Sequence, residues 1–255
     1  MAPLRFWLRA AATLLVSVAQ VSQSQIDSYT PISHYASAGY CKPDATLAWN
    51  CGANCQANPS FKPVASGGDG VVVQFWFVGY DPTLKTVVVS IQGTAPSAIL
   101  PLLTDSDIQL MSLSLNPTLF PGLDLSILAH QGFLAAHSMS ASDVLAAVQS
   151  ALSQFSTSRV LLTGHSLGAA ISLLHSVYIP LHIPNAQVTY VGYGLPRVGN
   201  QAFADYIHIQ DSGEWVTCAG QDNTNSQCIV GDVPTLLAGN ETEHDGPYNG
   251  VEMGC

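Results

Sequence analysis

The sequence predicts an α/β fold built on a largely parallel sheet, and three observations carry that reading. Short apolar runs rich in β-branched residues alternate with helical patterns, as parallel strands and their crossover helices do. One stretch in the middle, RVLLTGHSLGAAISLLHSVY from Arg159 to Tyr178, reads as strand, sharp turn and apolar helix. The chain has 255 residues, 47% of them hydrophobic, which is ample for one large core. No linker, repeat or low-complexity tract divides it, so residues 25–255 are expected to form a single domain.

The elements follow in order. A short helix is expected over Ile32–Ala38. Val71–Val78 and Thr86–Ile91 form a predicted strand pair, with the turn formers Gly79-Tyr80-Asp81-Pro82 between them. Ala95–Leu103, APSAILPLL, is strongly apolar and bracketed by Pro96 and Pro101; it fits either a buried helix or a lid over an apolar cleft. Asp107–Leu115 reads as a further strand. His130-Gln131-Gly132-Phe133 precedes a long helical region, within which Ser142 or Asp143 is placed to cap a helix whose apolar face is Val144, Leu145, Val148, Ala151, Leu152 and Phe155. Val160–Leu162 is the run expected of a strand covered on both faces. Gln187–Tyr193 is another strand and Asn200–Ile207 a helix. Gly192-x-Gly194 lacks the third glycine and helix start of a dinucleotide fingerprint, since Pro196 and Arg197 follow it.

Charge and cysteine content limit the partners. Charged residues make up 9% and the formal net charge is −10. Such a balance argues against nucleic acid and against charge-driven binding to anionic membranes. Residues 1–24 have the layout of a secretory signal: Arg5 and Arg9, then the apolar Ala10–Ala19, then small residues for cleavage between 19 and 24. The apolar run is too short to span a bilayer. An exported, extracellular protein is expected, and its six cysteines then read as three disulfides. Sequence alone does not choose among the pairings. Local spacing suggests Cys51–Cys55 and Cys218–Cys228, which leaves Cys41 with Cys255. No second Cys/His pair accompanies Cys51 and Cys55 at zinc spacing, so no metal site is expected. Asn240-Glu241-Thr242 is the usable glycosylation sequon, because Asn58 and Asn116 each precede a proline.

The chemistry centres on Gly164-His165-Ser166-Leu167-Gly168, which fits G-x-S-x-G. Its glycines allow a tight bend that lifts Ser166 to the N-terminus of the next helix, where unpaired N–H groups can hold a developing oxyanion. The same pattern also occurs as an ordinary Gly/Ser turn. A strand before it and an apolar helix after it make it a nucleophile elbow and the fold an α/β-hydrolase. Acyl transfer then needs a base and a group to orient it, in the chain order Ser, Asp or Glu, His. His175, His182, His208 and His244 follow Ser166 at a distance. The first two sit on or just past the helix that Ser166 begins. His244 lies in a Gly/Asp/Asn-rich loop near the C-terminus and is the expected base, with His208 the weaker choice.

These segments resemble the secreted fungal class 3 lipases, near the basidiomycete branch. The matching pieces are YCKP, SFKPVASGGDG, FWFVGYDP, IQGT with PLLTD, HQGF, SDVLAAVQSAL, TGHSLGAA, YGLPRVGN and EHDGPYNGVEMGC. The resemblance implies Ser166 as nucleophile, His244 as base, and Thr94 with the N–H of Leu167 as the oxyanion hole. It also implies Ala95–Leu103 as a lid, the three disulfide pairs above, and no metal or organic cofactor. The implied activity is hydrolysis of acylglycerol esters at a lipid–water interface, of the triacylglycerol lipase type. One departure stands out. Relative to the family, a block carrying the triad acid is missing between Tyr206 and His208. The carboxylates left between Ser166 and His244 are Asp205, Asp211, Glu214, Asp222, Asp232, Glu241 and Glu243. Asp232, followed by Val233-Pro234, is the candidate acid. Two other readings stay open: an impaired relative that only binds lipid, and a feruloyl-type esterase on the same scaffold.

Overall fold

A computed structural model describes residues 23–94, 109–210 and 244–255, with side chains at all but 25 and 208–210. The expected signal (to residue 22), lid segment, Asp232, Cys218–Cys228 pair and Asn240 sequon lie outside the described residues. Among the described residues four short helices come first: α1 (Gln23–Ser28), α2 (Thr30–Ala38), α3 (Pro43–Leu47) and α4 (Ala53–Ala57). Then come β1 (Lys62–Gly67), β2 (Trp76–Asp81), β3 (Thr86–Ile91), β4 (Leu110–Ser112) and β5 (Leu128–His130). The rest is α5 (Gln131–Phe155), β6 (Arg159–His165), α6 (Leu167–His182), β7 (Gln187–Tyr193) and α7 (Gln201–Gln210).

The central sheet has the order β1-β2-β3-β6-β7. The largely parallel sheet of the expectation is mixed: β3–β6 and β6–β7 are parallel, whereas β1–β2 and β2–β3 are antiparallel. The short link from β2 to β3 can only reverse the chain, so a hairpin forms there. Its turn falls later than expected. Gly79, Tyr80 and Asp81 stay in β2, and the buried Asp81 carboxylate accepts the amides of Thr83 (2.7 Å) and Leu84 (3.0 Å). The Tyr35 hydroxyl donates to the same carboxylate (2.7 Å). Gly79 suits a strand here because a Cβ would strike the Phe61 ring and the Lys62 carbonyl. β2 starts at Trp76, not Val71; Val71 and Val72 lie exposed in the loop before it, where Asp69 accepts their amides.

Both faces of the sheet are covered, which explains the continuous apolar runs. Along β3, Val87, Val89 and Ile91 face the core under α5 and α6, while Val88 faces α2. Along β6, Val160 and Leu162 share the first side and Leu161 the second. The α2 side is an aromatic cluster of Tyr35, Trp49, Phe61 and Phe77, with ring centroids 4.1–6.4 Å apart. α5 is one unbroken helix of 25 residues and does not start at Ser142 or Asp143. Phe133, His137, Ser140 and Ala141 continue the buried stripe of Val144, Val148 and Ala151 at helical spacing, so the packing carries the helix past those polar residues. Its cap is His130, whose Nδ1 accepts the Gly132 amide (3.1 Å).

The C-terminal tail returns to α2. Cys41 is bonded to Cys255 and Cys51 to Cys55. Asn249 donates to the Ser33 hydroxyl (2.9 Å), the Gly254 amide to the Ser37 hydroxyl (3.1 Å), and Asn54 to the Gly254 carbonyl (3.1 Å). No described helix is long and apolar enough to cross a membrane.

Candidate active site

Ser166 occupies the corner between β6 and α6. Its backbone has φ 55° and ψ −123°, a region that non-glycine residues rarely enter and that costs about 1–3 kcal/mol. The corner is held on both sides: the Ser166 amide donates to the Tyr193 carbonyl (3.0 Å), and its carbonyl accepts the Ala170 amide (3.1 Å). The two motif glycines explain how such a corner packs. A Cβ on Gly164 would lie 2.6 Å from the Gly168 carbonyl, and one on Gly168 would overlap the Ile91 carbonyl. Helix α6 therefore crosses β6 and β3 at a distance that side chains would forbid. Leu167, buried, is the first residue of the helix.

Thr94 lies three residues past the end of β3, on the same sheet edge as Ser166, because β3 and β6 run parallel. Its hydroxyl is buried, with no hydrogen-bond partner among the described residues. Gly93 brings the two strand ends together: a Cβ there would overlap the Tyr40 hydroxyl and sit 2.5 Å from the His165 carbonyl.

His244 is delivered to the same corner by the tail. Its ring packs on that of His165, the neighbour of Ser166, with centroids 4.8 Å apart. The His244 carbonyl accepts from His165 Nε2 (2.7 Å) and from the Tyr248 hydroxyl (3.0 Å). Gly194, at φ 54°, makes the space: a Cβ would stand 2.9 Å from His244 Cε1 and 3.0 Å from both His165 Nε2 and Tyr248 Oη. Gly194 thus belongs to this site, a role the Gly192-x-Gly194 spacing did not reveal, while Gly192 packs against the Tyr190 ring. Burial pushes the His165 pKa down to about 4, so that ring stays neutral near pH 7.

The other expected residues are not gathered here. Asp205 is exposed on α7, where it accepts from Gln201 (2.7 Å). His175 is fully buried between α6 and α5, against His137 at 4.3 Å. His182 lies at the far end of α6, and the His208 side chain and Asp232 lie outside the described residues. A carboxylate that sequence reasoning passed over does come close. Asp245 has a buried oxygen, and its charge raises the pKa of the Tyr40 and Tyr248 hydroxyls, second in each case to burial. Asp245 follows His244, outside the Ser-to-His interval in which the acid is expected. No group of three or more metal-ligating side chains occurs among the described residues.

A strained serine between a parallel strand and a helix defines an α/β-hydrolase, and solved structures agree on the fold. The Rhizomucor miehei triacylglyceride lipase superposes with a TM-score of 0.71 at 20% identity, over 91% of this chain and 97% of that one. Lipase II from Rhizopus niveus gives 0.64 at 25% identity, over 74% and 69%. The family model "Lipase (class 3)" matches residues 88–224, and the chain belongs to that family. A secreted mono- and diacylglycerol lipase 3 of Gibberella zeae is 32% identical over 160 residues, 58% of this chain and 49% of that protein. The secreted mono- and diacylglycerol lipase MDL3 of Malassezia globosa is 29% identical over 207 residues, 76% and 62%. The chain thus spans about half to three fifths of the length of these relatives.

Proposed function

We propose that this chain is a secreted serine ester hydrolase acting on acylglycerols, of the triacylglycerol lipase type. Ser166 Oγ attacks the ester carbonyl while His244 takes its proton. Thr94 and the Leu167 amide donate to the oxyanion of the tetrahedral intermediate. His244 returns the proton to the departing alcohol, and water then cleaves the acyl-enzyme with His244 again as base. The reading rests on one observation above the rest: a serine at a strained corner, with His244 packed on the residue beside it. The relatives' names support an acylglycerol substrate and an extracellular setting.

The test is labelling by a fluorophosphonate together with turnover of a soluble nitrophenyl ester and of mono-, di- and triolein emulsions. Both labelling and turnover are expected in the parent and lost in Ser166→Ala. A folded parent that shows neither refutes the proposal. A soluble aromatic ester preferred over every emulsion favours the feruloyl-type reading. The acid is decided in the same assay by Asp232→Asn and Asp245→Asn. Replacing the acid with its amide is expected to lower kcat by about 10⁴, the loss seen for a serine protease triad.

A further inference from the structure

His165 is the residue of the G-x-S-x-G motif that the mechanism above leaves without a role, yet it is among the most constrained side chains in the protein. It is 1% exposed and both ring nitrogens are bonded. A carbonyl can only accept, so Nε2 carries the proton and donates to the His244 oxygen (2.7 Å). Nδ1 is then the acceptor, and the Tyr40 hydroxyl donates to it (2.6 Å). Burial keeps the ring neutral, so Nδ1 retains the lone pair that Tyr40 needs. The second donor to the His244 carbonyl is Tyr248. Tyr40 precedes Cys41, whose bond to Cys255 fixes the tail eleven residues beyond His244. The chain segment that carries the base is thus fastened to residues 40 and 41 on one side and to the nucleophile's own neighbour on the other.

We propose that His165 is a positioning residue: with its Nδ1 held by the Tyr40 hydroxyl, its Nε2–H fixes the main chain of His244 and so holds that imidazole at the Ser166 corner. The inference rests on the reading of His244 as the base. A ring that merely filled space would need volume alone; this one needs a donor at Nε2.

His165→Gln keeps an N–H close to the Nε2 position, whereas His165→Met keeps volume without a donor. Each is measured for kcat and KM on a soluble nitrophenyl ester, and for amide hydrogen exchange of residues 244–254. His165→Met is expected to lose about 30-fold in kcat with KM little changed, as a misplaced catalytic group does, and to exchange the tail faster. His165→Gln is expected to recover most of both. Tyr40→Phe, which removes one hydroxyl, is expected to lower kcat several-fold and serves if His165→Met does not fold. Equal kcat and equal exchange in the Met and Gln variants overturn the proposal. A parent with no Ser166-dependent turnover refutes the enzyme reading instead, and the exchange of the tail then still decides whether His165 holds it.

Discussion

At the scale of single residues, the site is made by what is missing from glycines as much as by what is present in reactive side chains. Gly164, Gly168, Gly93 and Gly194 each stand where a Cβ would meet backbone or a site side chain. Gly168 is the sharpest case, because its clash is with the Ile91 carbonyl and the Gln92 backbone, which cannot rotate away. Gly168→Ala is therefore expected to push α6 off the sheet, lower the melting temperature and abolish fluorophosphonate labelling. The gain in helix propensity, about 1 kcal/mol, is too small to offset that overlap. Calorimetry with active-site labelling checks it; a variant as stable and as reactive as the parent contradicts the packing argument. The nucleophile motif was legible in the sequence because its glycines sit at fixed offsets from the serine. Gly194 and Asp245 were not, since their partners come from segments far along the chain.

At the scale of elements, the packing of α5 on α6 hides a pair of histidines. His137 and His175 are fully buried, 4.3 Å apart, and their ring nitrogens have no hydrogen-bond partners among the described residues. Tyr178 and Phe120 complete the ring cluster. Burial pushes both pKa values down, that of His175 to about 3; for His137 the neighbouring His175 adds to the effect. The unfolded chain protonates at these positions below its ordinary value near 6.5, whereas the folded one does not. The contribution of this pair to stability is thus constant above pH 6.5 and falls as the pH drops below it. The expected slope is about 1.4 kcal/mol per pH unit for each histidine. Urea unfolding at pH 7, 6 and 5 measures it, and His175→Leu should have a shallower slope than the parent. Equal slopes would show that the pair does not titrate in this way. Periodicity located most elements, but their starts moved where packing outweighed local signals. α5 runs through Ser142 and Asp143 because one buried stripe continues along it. β2 keeps Gly79 because Phe61 needs the room.

At the scale of the whole molecule, the tail from His244 to Cys255 closes the structure onto α2. The Cys41–Cys255 bond spans 214 residues of sequence, and the hydrogen bonds of Ser33, Ser37 and Asn54 lie around it. On chain-entropy grounds, a loop of that length contributes about 5 kcal/mol by restricting the unfolded state. Cys255→Ser is expected to lower stability by a large part of that amount. It should also reduce kcat by more than the loss of folded protein explains, because the same tail positions His244. Comparing denaturation midpoints with turnover per folded molecule tests both parts; full specific activity in the variant would separate the tail's anchoring from the site.

The alternation of apolar runs and the G-x-S-x-G corner were enough to establish the α/β-hydrolase class and the strand–turn–helix that carries Ser166, and close spacing was enough to pair Cys51 with Cys55. Those features are local: a strand, a bend and a helix are written within about 20 residues, where hydrophobic periodicity and glycine spacing act directly. The mixed pairing of the sheet, the seat of His244 on His165, the space left by Gly194 and the approach of Asp245 depend on folding together residues 40, 165, 194 and 244–255. Contacts across such separations follow from how the layers pack, and no pattern along the chain encodes them.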